Sequence, residues 1–170
     1  MMIRQIHIPK TAGTSIKQAT GQLKSRHNKL FQLAGDSFFS CVRNPYDRAC
    51  SAFWFVNRGE RRHKSMIDFW RERCQLKLSK ILVAAPQIDF IRDKPGVGGI
   101  SPRIKHLFRF ETLAEDWPAF AAQHGFSKLP HVNQSERPAT WQQEMTPELI
   151  EILNELYAED FEHLNYERIL

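Results

Sequence analysis

Apolar and polar positions divide the chain into short strand-like and helix-like stretches that alternate. Ile6 and Ile8 flank His7 with a period of two, a strand signal that Pro9 stops. Ile16, Ala19 and Leu23 then recur at helical spacing. Leu30, Phe31 and Leu33 make a short apolar segment closed by Gly35-Asp36. Phe38-Phe-Ser-Cys-Val42 is an apolar run of β-formers, as expected of a strand covered on both faces in a parallel sheet. Asn44 suits a helix N-cap and Pro45 the first helical position, and Ala49, Ala52, Phe53 and Val56 give that helix its apolar stripe.

Ser65 and Asp68 open a further helix bearing Ile67, Trp70 and Cys74. Leu78 to Ala85 reads as helical up to Pro86, and Asp93 to Pro102, with Gly96, Gly98 and Gly99, as a mobile loop. His106-Leu-Phe-Arg-Phe110 alternates like a strand. Thr112 with Glu115 has the pattern of a capping box, and its helix, carrying Leu113, Trp117, Phe120 and Ala121, stops at Gly125. Leu129 to Asn133 is held extended by Pro130, and Gln134 to Thr140 reads as loop. Thr146 caps and Pro147 starts a last helix striped by Leu149, Ile150, Leu153, Leu156 and Tyr157. Strands alternating with helices predict an α/β fold, a single domain over residues 1–170 with a mainly parallel β-sheet flanked by helices. Ligands collect beyond the carboxyl ends of such strands, where the turns at Lys10 and Arg43 fall.

Composition narrows this only a little. The 170 residues are 42% apolar and 25% charged, ordinary for a globular chain. A net charge of +5 favours an anionic ligand or polymer without identifying it. No stretch approaches the roughly 20 apolar residues of a membrane span, and none resembles a signal peptide. Cys41, Cys50 and Cys74 are odd in number and lack metal spacing. Together these predict a cytoplasmic protein with free thiols, no metal and no stable membrane insertion.

The candidate chemistry sits in two turns. Pro9-Lys-Thr-Ala-Gly-Thr-Ser15 joins a strand to a helix, so free N–H groups and the helix dipole converge where Lys10 adds a positive charge. Gly13 allows close approach to an anion, and Thr14 and Ser15 add hydroxyl donors. The same residue types also serve plain helix capping. This is not a Walker loop, because Lys10 precedes the only glycine. Arg43 ends the second strand with Ser51 eight residues on. A guanidinium can grip a phosphate in bidentate fashion and a hydroxyl adds one donor, although Arg43 could equally pair with Asp47.

Taken together, the two stretches resemble a known family. Pro9 to Ser15 resembles the 5′-phosphosulfate-binding loop of the carbohydrate sulfotransferases, which share a P-loop-NTPase-like fold. Cys41-Val-Arg-Asn-Pro-Tyr-Asp-Arg-Ala-Cys-Ser-Ala-Phe53 resembles their 3′-phosphate-binding segment. Weaker matches run through Pro86 to Phe90, Arg109 to Leu113 and Leu129 to Asn133. The resemblance implies transfer of a sulfuryl group from 3′-phosphoadenosine 5′-phosphosulfate to a hydroxyl of a carbohydrate or glycoconjugate, with adenosine 3′,5′-bisphosphate as product. By the same resemblance Lys10, Thr11, Ala12, Gly13, Thr14 and Ser15 hold the 5′ end, and Arg43 and Ser51 the 3′-phosphate. Ser135 and Arg137 then belong to a loop folded over that phosphate. Lys10 would also stabilise the leaving group, and His27 would be the general base, with His131 in reserve. His7 is assigned to the first strand.

The basic cluster Arg58-Gly-Glu-Arg-Arg-His-Lys64 reads either as a solvated face or as the border of a cleft for an acidic glycan. The chain is short for this family, which implies small or missing acceptor-binding insertions. Two other classes compete. A nucleotide kinase would share the frame but lacks a Walker pattern. A basic nucleic-acid-binding module would explain the charge, yet Phe53, Trp54, Trp70 and Trp117 fall at core spacing on helices, so nucleic acid is not the expected partner.

Overall fold

A computed structural model describes residues 3–22, 27–57, 65–75, 82–130 and 140–170. It holds three strands and seven α-helices among the described residues, and its sheet is parallel, so the α/β class expected from the sequence is present. The chain forms two compact units, Met1–Arg43 with Gln87–Asn133 and Asn44–Pro86 with Gln134–Leu170. Each is discontinuous in sequence.

The first unit carries the sheet. Strands β1 (Arg4–Ile6), β2 (Phe38–Val42) and β3 (Ile104–Arg109) lie in the order β1-β2-β3. Arg4 pairs with Phe38 and Ile6 with Ser40, while Val42 pairs with Arg109. All five β2 residues are buried, as the unbroken apolar run requires of a central strand. Helices α1 (Gly13–Thr20) and α5 (Leu113–His124) close the core with Ile16, Ala19, Trp117 and Phe120 around Phe39 and Phe108. A short helix α4 (Ile88–Ile91) lies between β2 and β3 in sequence, and its four residues are too few to show a helical period.

Two glutamine side chains stand in for missing strands. On the outer edge of β1, the Gln22 amide accepts from Gln5 N–H at 2.8 Å and donates to the Ile3 carbonyl at 3.0 Å. At the end of β2, Gln87 does the same for Arg43, as described below. Among the described residues, an edge N–H and C=O are thereby satisfied by a side chain in place of a strand.

The second unit is helical: α2 (Pro45–Val56), α3 (Met66–Gln75), α6 (Pro147–Leu156) and α7 (Ala158–Leu164). Asn44 Oδ1 accepts from Tyr46 N–H at 3.0 Å, and Thr146 Oγ1 accepts from Leu149 N–H at 3.3 Å, so both predicted caps are formed. Ser65 Oγ accepts from Asp68 N–H at 3.2 Å before α3. The core joins Tyr46, Phe53, Phe69, Trp70, Leu149, Leu153 and Phe161. Arg48 is fully buried and donates to the carbonyls of Val83 and Ala85 at 3.3 and 2.9 Å.

Several expectations are corrected. The Thr112 hydroxyl donates to Asp116 Oδ2 at 2.6 Å in place of forming a capping box with Glu115. Residues 82–84 form turns and not a helix, with 78–81 outside the described residues. Strand β1 ends at Ile6, because its pairing with β2 stops at Ser40, and His7 leaves the ladder.

Candidate functional site

Because β1 and β2 are parallel neighbours, the turns that follow them open at the same end of the sheet. The first turn is tightly coiled. Lys10 and Ala12 both take left-handed backbone conformations, with φ of 68° and 62°. For residues with a Cβ this costs roughly 1–2 kcal/mol apiece. Such turns aim successive N–H groups to one side, a concavity that suits anions. The Thr11 hydroxyl donates to the Ile8 carbonyl at 2.9 Å and is buried, so its proton serves the turn itself. Helix α1 makes its first intrahelical bond from Ile16 N–H to the Ala12 carbonyl at 3.1 Å. The N–H groups of Gly13, Thr14 and Ser15 therefore precede the helical ladder and face the turn. Thr14 is exposed, and Lys10 and Ser15 are half-buried.

Gly13 is needed for a reason the sequence does not reveal. A Cβ there would stand 1.9 Å from two atoms of the His7 ring, so the ring occupies the space a side chain would take. His7 is 7% exposed, and its ring centroid lies 4.0 Å from that of His27. His27 Nδ1 lies 3.0 Å from the His7 carbonyl oxygen. A carbonyl can only accept, so Nδ1 carries the proton and Nε2 keeps its lone pair. Burial, with added repulsion from His27 and Lys17, lowers the His7 pKa to about 3. Burial likewise holds His27 below the usual histidine value; the bond to His7 works against this and Lys17 works with it. Both rings are neutral at pH 7.

Arg43 reaches the same turn from β2. Its Nη1 donates to the Lys10 carbonyl at 3.2 Å, and its guanidinium carbon lies 3.9 Å from the centroid of the Phe110 ring. Arg43 N–H donates to Gln87 Oε1 at 2.9 Å, and Gln87 Nε2 donates back to the Arg43 carbonyl at 2.8 Å. Lys10, Arg43, the α1 N-terminus and His27 are thus gathered within the first unit. A cationic, N–H-rich donor set of this kind fits phosphate or sulfate oxygens.

Ser51 is buried on α2 in the second unit. Ser135, Arg137, His131 and the cluster at 58–64 fall outside the described residues. Cys41 is buried, which raises its thiol far above the usual range and leaves it unreactive. Phe53, Trp70 and Trp117 are core residues. Sequence reasoning missed His7, Gln87 and Phe110 as site residues. Adjacency to the turn was the only available signal for His7, and the partners of Gln87 and Phe110 are far off in sequence. No family model matches the chain, and neither a curated protein nor a solved structure matches it.

Proposed function

We propose that the chain is a sulfotransferase of P-loop-like fold that uses 3′-phosphoadenosine 5′-phosphosulfate and sulfates a hydroxyl of a carbohydrate or glycoconjugate. The observation that carries this reading is the meeting of two cationic turns, with Arg43 Nη1 3.2 Å from the Lys10 carbonyl. The donor would supply an activated sulfuryl group, and the bond from sulfur to the bridging phosphate oxygen would break. Lys10 and the N–H groups of Gly13, Thr14 and Ser15 would hold the 5′ end and offset the charge that grows on the leaving oxygen. Arg43 would grip the 3′-phosphate, and Ser51 enters on the resemblance alone.

His27 Nε2 would take the proton from the acceptor hydroxyl as it attacks. Its neutral form is favoured at pH 7, and the His7 carbonyl fixes the tautomer this requires. Incubation with sulfur-labelled donor and a panel of glycans tests the proposal. Label should pass to a hydroxyl-bearing acceptor, and His27→Ala should cut turnover at saturating donor by about 100-fold. A folded chain that labels no acceptor and leaves the donor intact would overturn it.

A further inference from the structure

The sheet ends in a way that constrains Arg43 more than its neighbours. Strand β2 alternates its hydrogen-bonding side. The Ser37 carbonyl accepts from Arg4 N–H on the β1 side, and the Val42 carbonyl accepts from Phe110 N–H on the β3 side. Arg43 has the parity of Ser37, so its own N–H and C=O point toward β1, which has already ended at Ile6. The Gln87 amide fills that place with two bonds of 2.9 and 2.8 Å, and Gln87 is fully buried. The Phe110 ring then backs the guanidinium at 3.9 Å. A planar cation held against an aromatic face keeps its orientation and its N–H edge.

We propose that Gln87 and Phe110 are positioning residues for Arg43: Gln87 fixes its main chain at the end of β2, and Phe110 fixes the plane of its guanidinium. The geometry of the anion grip is then set before any ligand binds, which spares the ordering cost of binding. This rests on the reading of Arg43 as an anion-binding residue.

A double-mutant cycle on the full chain tests it, with binding of adenosine 3′,5′-bisphosphate and of inorganic pyrophosphate measured by titration calorimetry. Gln87→Met and Phe110→Leu should each weaken binding about tenfold when Arg43 is present, and less than about twofold in an Arg43→Ala background. Phe110 is half-buried, so its variant keeps the test open if Gln87→Met fails to fold. Equal losses in both backgrounds would mark a merely structural role and overturn the inference, as would wild-type affinity in both single variants. If pyrophosphate shows the coupling but the nucleotide binds no better than pyrophosphate, the donor assignment fails and the positioning role stands. Binding of neither probe to the folded wild type overturns both.

Discussion

Lys10 and Arg43 follow adjacent parallel strands, but the contacts that fix them come from different distances along the chain. The turn around Lys10 is held by its near neighbours. Thr11 bonds to Ile8, Ile16 bonds to Ala12, and Gly13 abuts His7. It carries backbone strain at Lys10 and Ala12. Arg43 is held by Gln87, 44 residues on, by the Lys10 carbonyl, 33 residues back, and by the Phe110 ring. One turn is thus a local, strained device and the other is a tertiary one. A local device tolerates few changes within itself, whereas a tertiary one fails through residues far from it in sequence.

The sharpest way to break the local device is Gly13→Ala, which drives a methyl group into the His7 ring. The expected loss is about 3 kcal/mol of stability by urea unfolding, with much of it recovered in a His7→Ala, Gly13→Ala double variant. No recovery would mean that the clash with His7 is not the cause. Next, Gln87→Met strips the Arg43 N–H and C=O of their partners and should cost about 2 kcal/mol, although it touches neither turn's motif.

Acid should strike the Lys10 side through His7. Its folded pKa of about 3 lies below the unfolded value, so the unfolded chain binds the proton first. The associated stability is present above about pH 6.5 and is lost as pH falls from there toward 3, at up to about 1.4 kcal/mol per pH unit. His7→Phe should flatten the stability profile between pH 6.5 and 5; an unchanged slope would contradict the buried neutral ring. The smallest effect is Ala12→Gly, which relieves a left-handed residue and should stabilise by about 0.5 kcal/mol. Destabilisation there would show that the turn is not strained at that residue.

The same contrast explains what could be read from the chain. Strand β2, the Asn44-Pro45 and Thr146-Pro147 helix starts and the Gly125 stop were legible because each signal lies within a few residues of what it specifies. The α4 helix is too short for a period. Helix α7 follows α6 after Tyr157 without a glycine or proline to mark the junction, so no local signal separates the two. Within the site, the Pro9 to Ser15 motif points to a cradle, but it gives no sign that the His7 ring fills the space a Gly13 side chain would take. The partners of Arg43 were beyond reach of the sequence, since pairing across 44 residues is set by the sheet and not by spacing.

The central claim is that both turns serve one doubly phosphorylated nucleotide. Titration with adenosine 3′,5′-bisphosphate in the absence of magnesium tests this most directly. The account predicts saturable binding of one nucleotide per chain, weakened about tenfold or more by Lys10→Ala and again by Arg43→Ala. A folded wild-type chain that does not bind the nucleotide, or one whose affinity neither substitution changes, would contradict it.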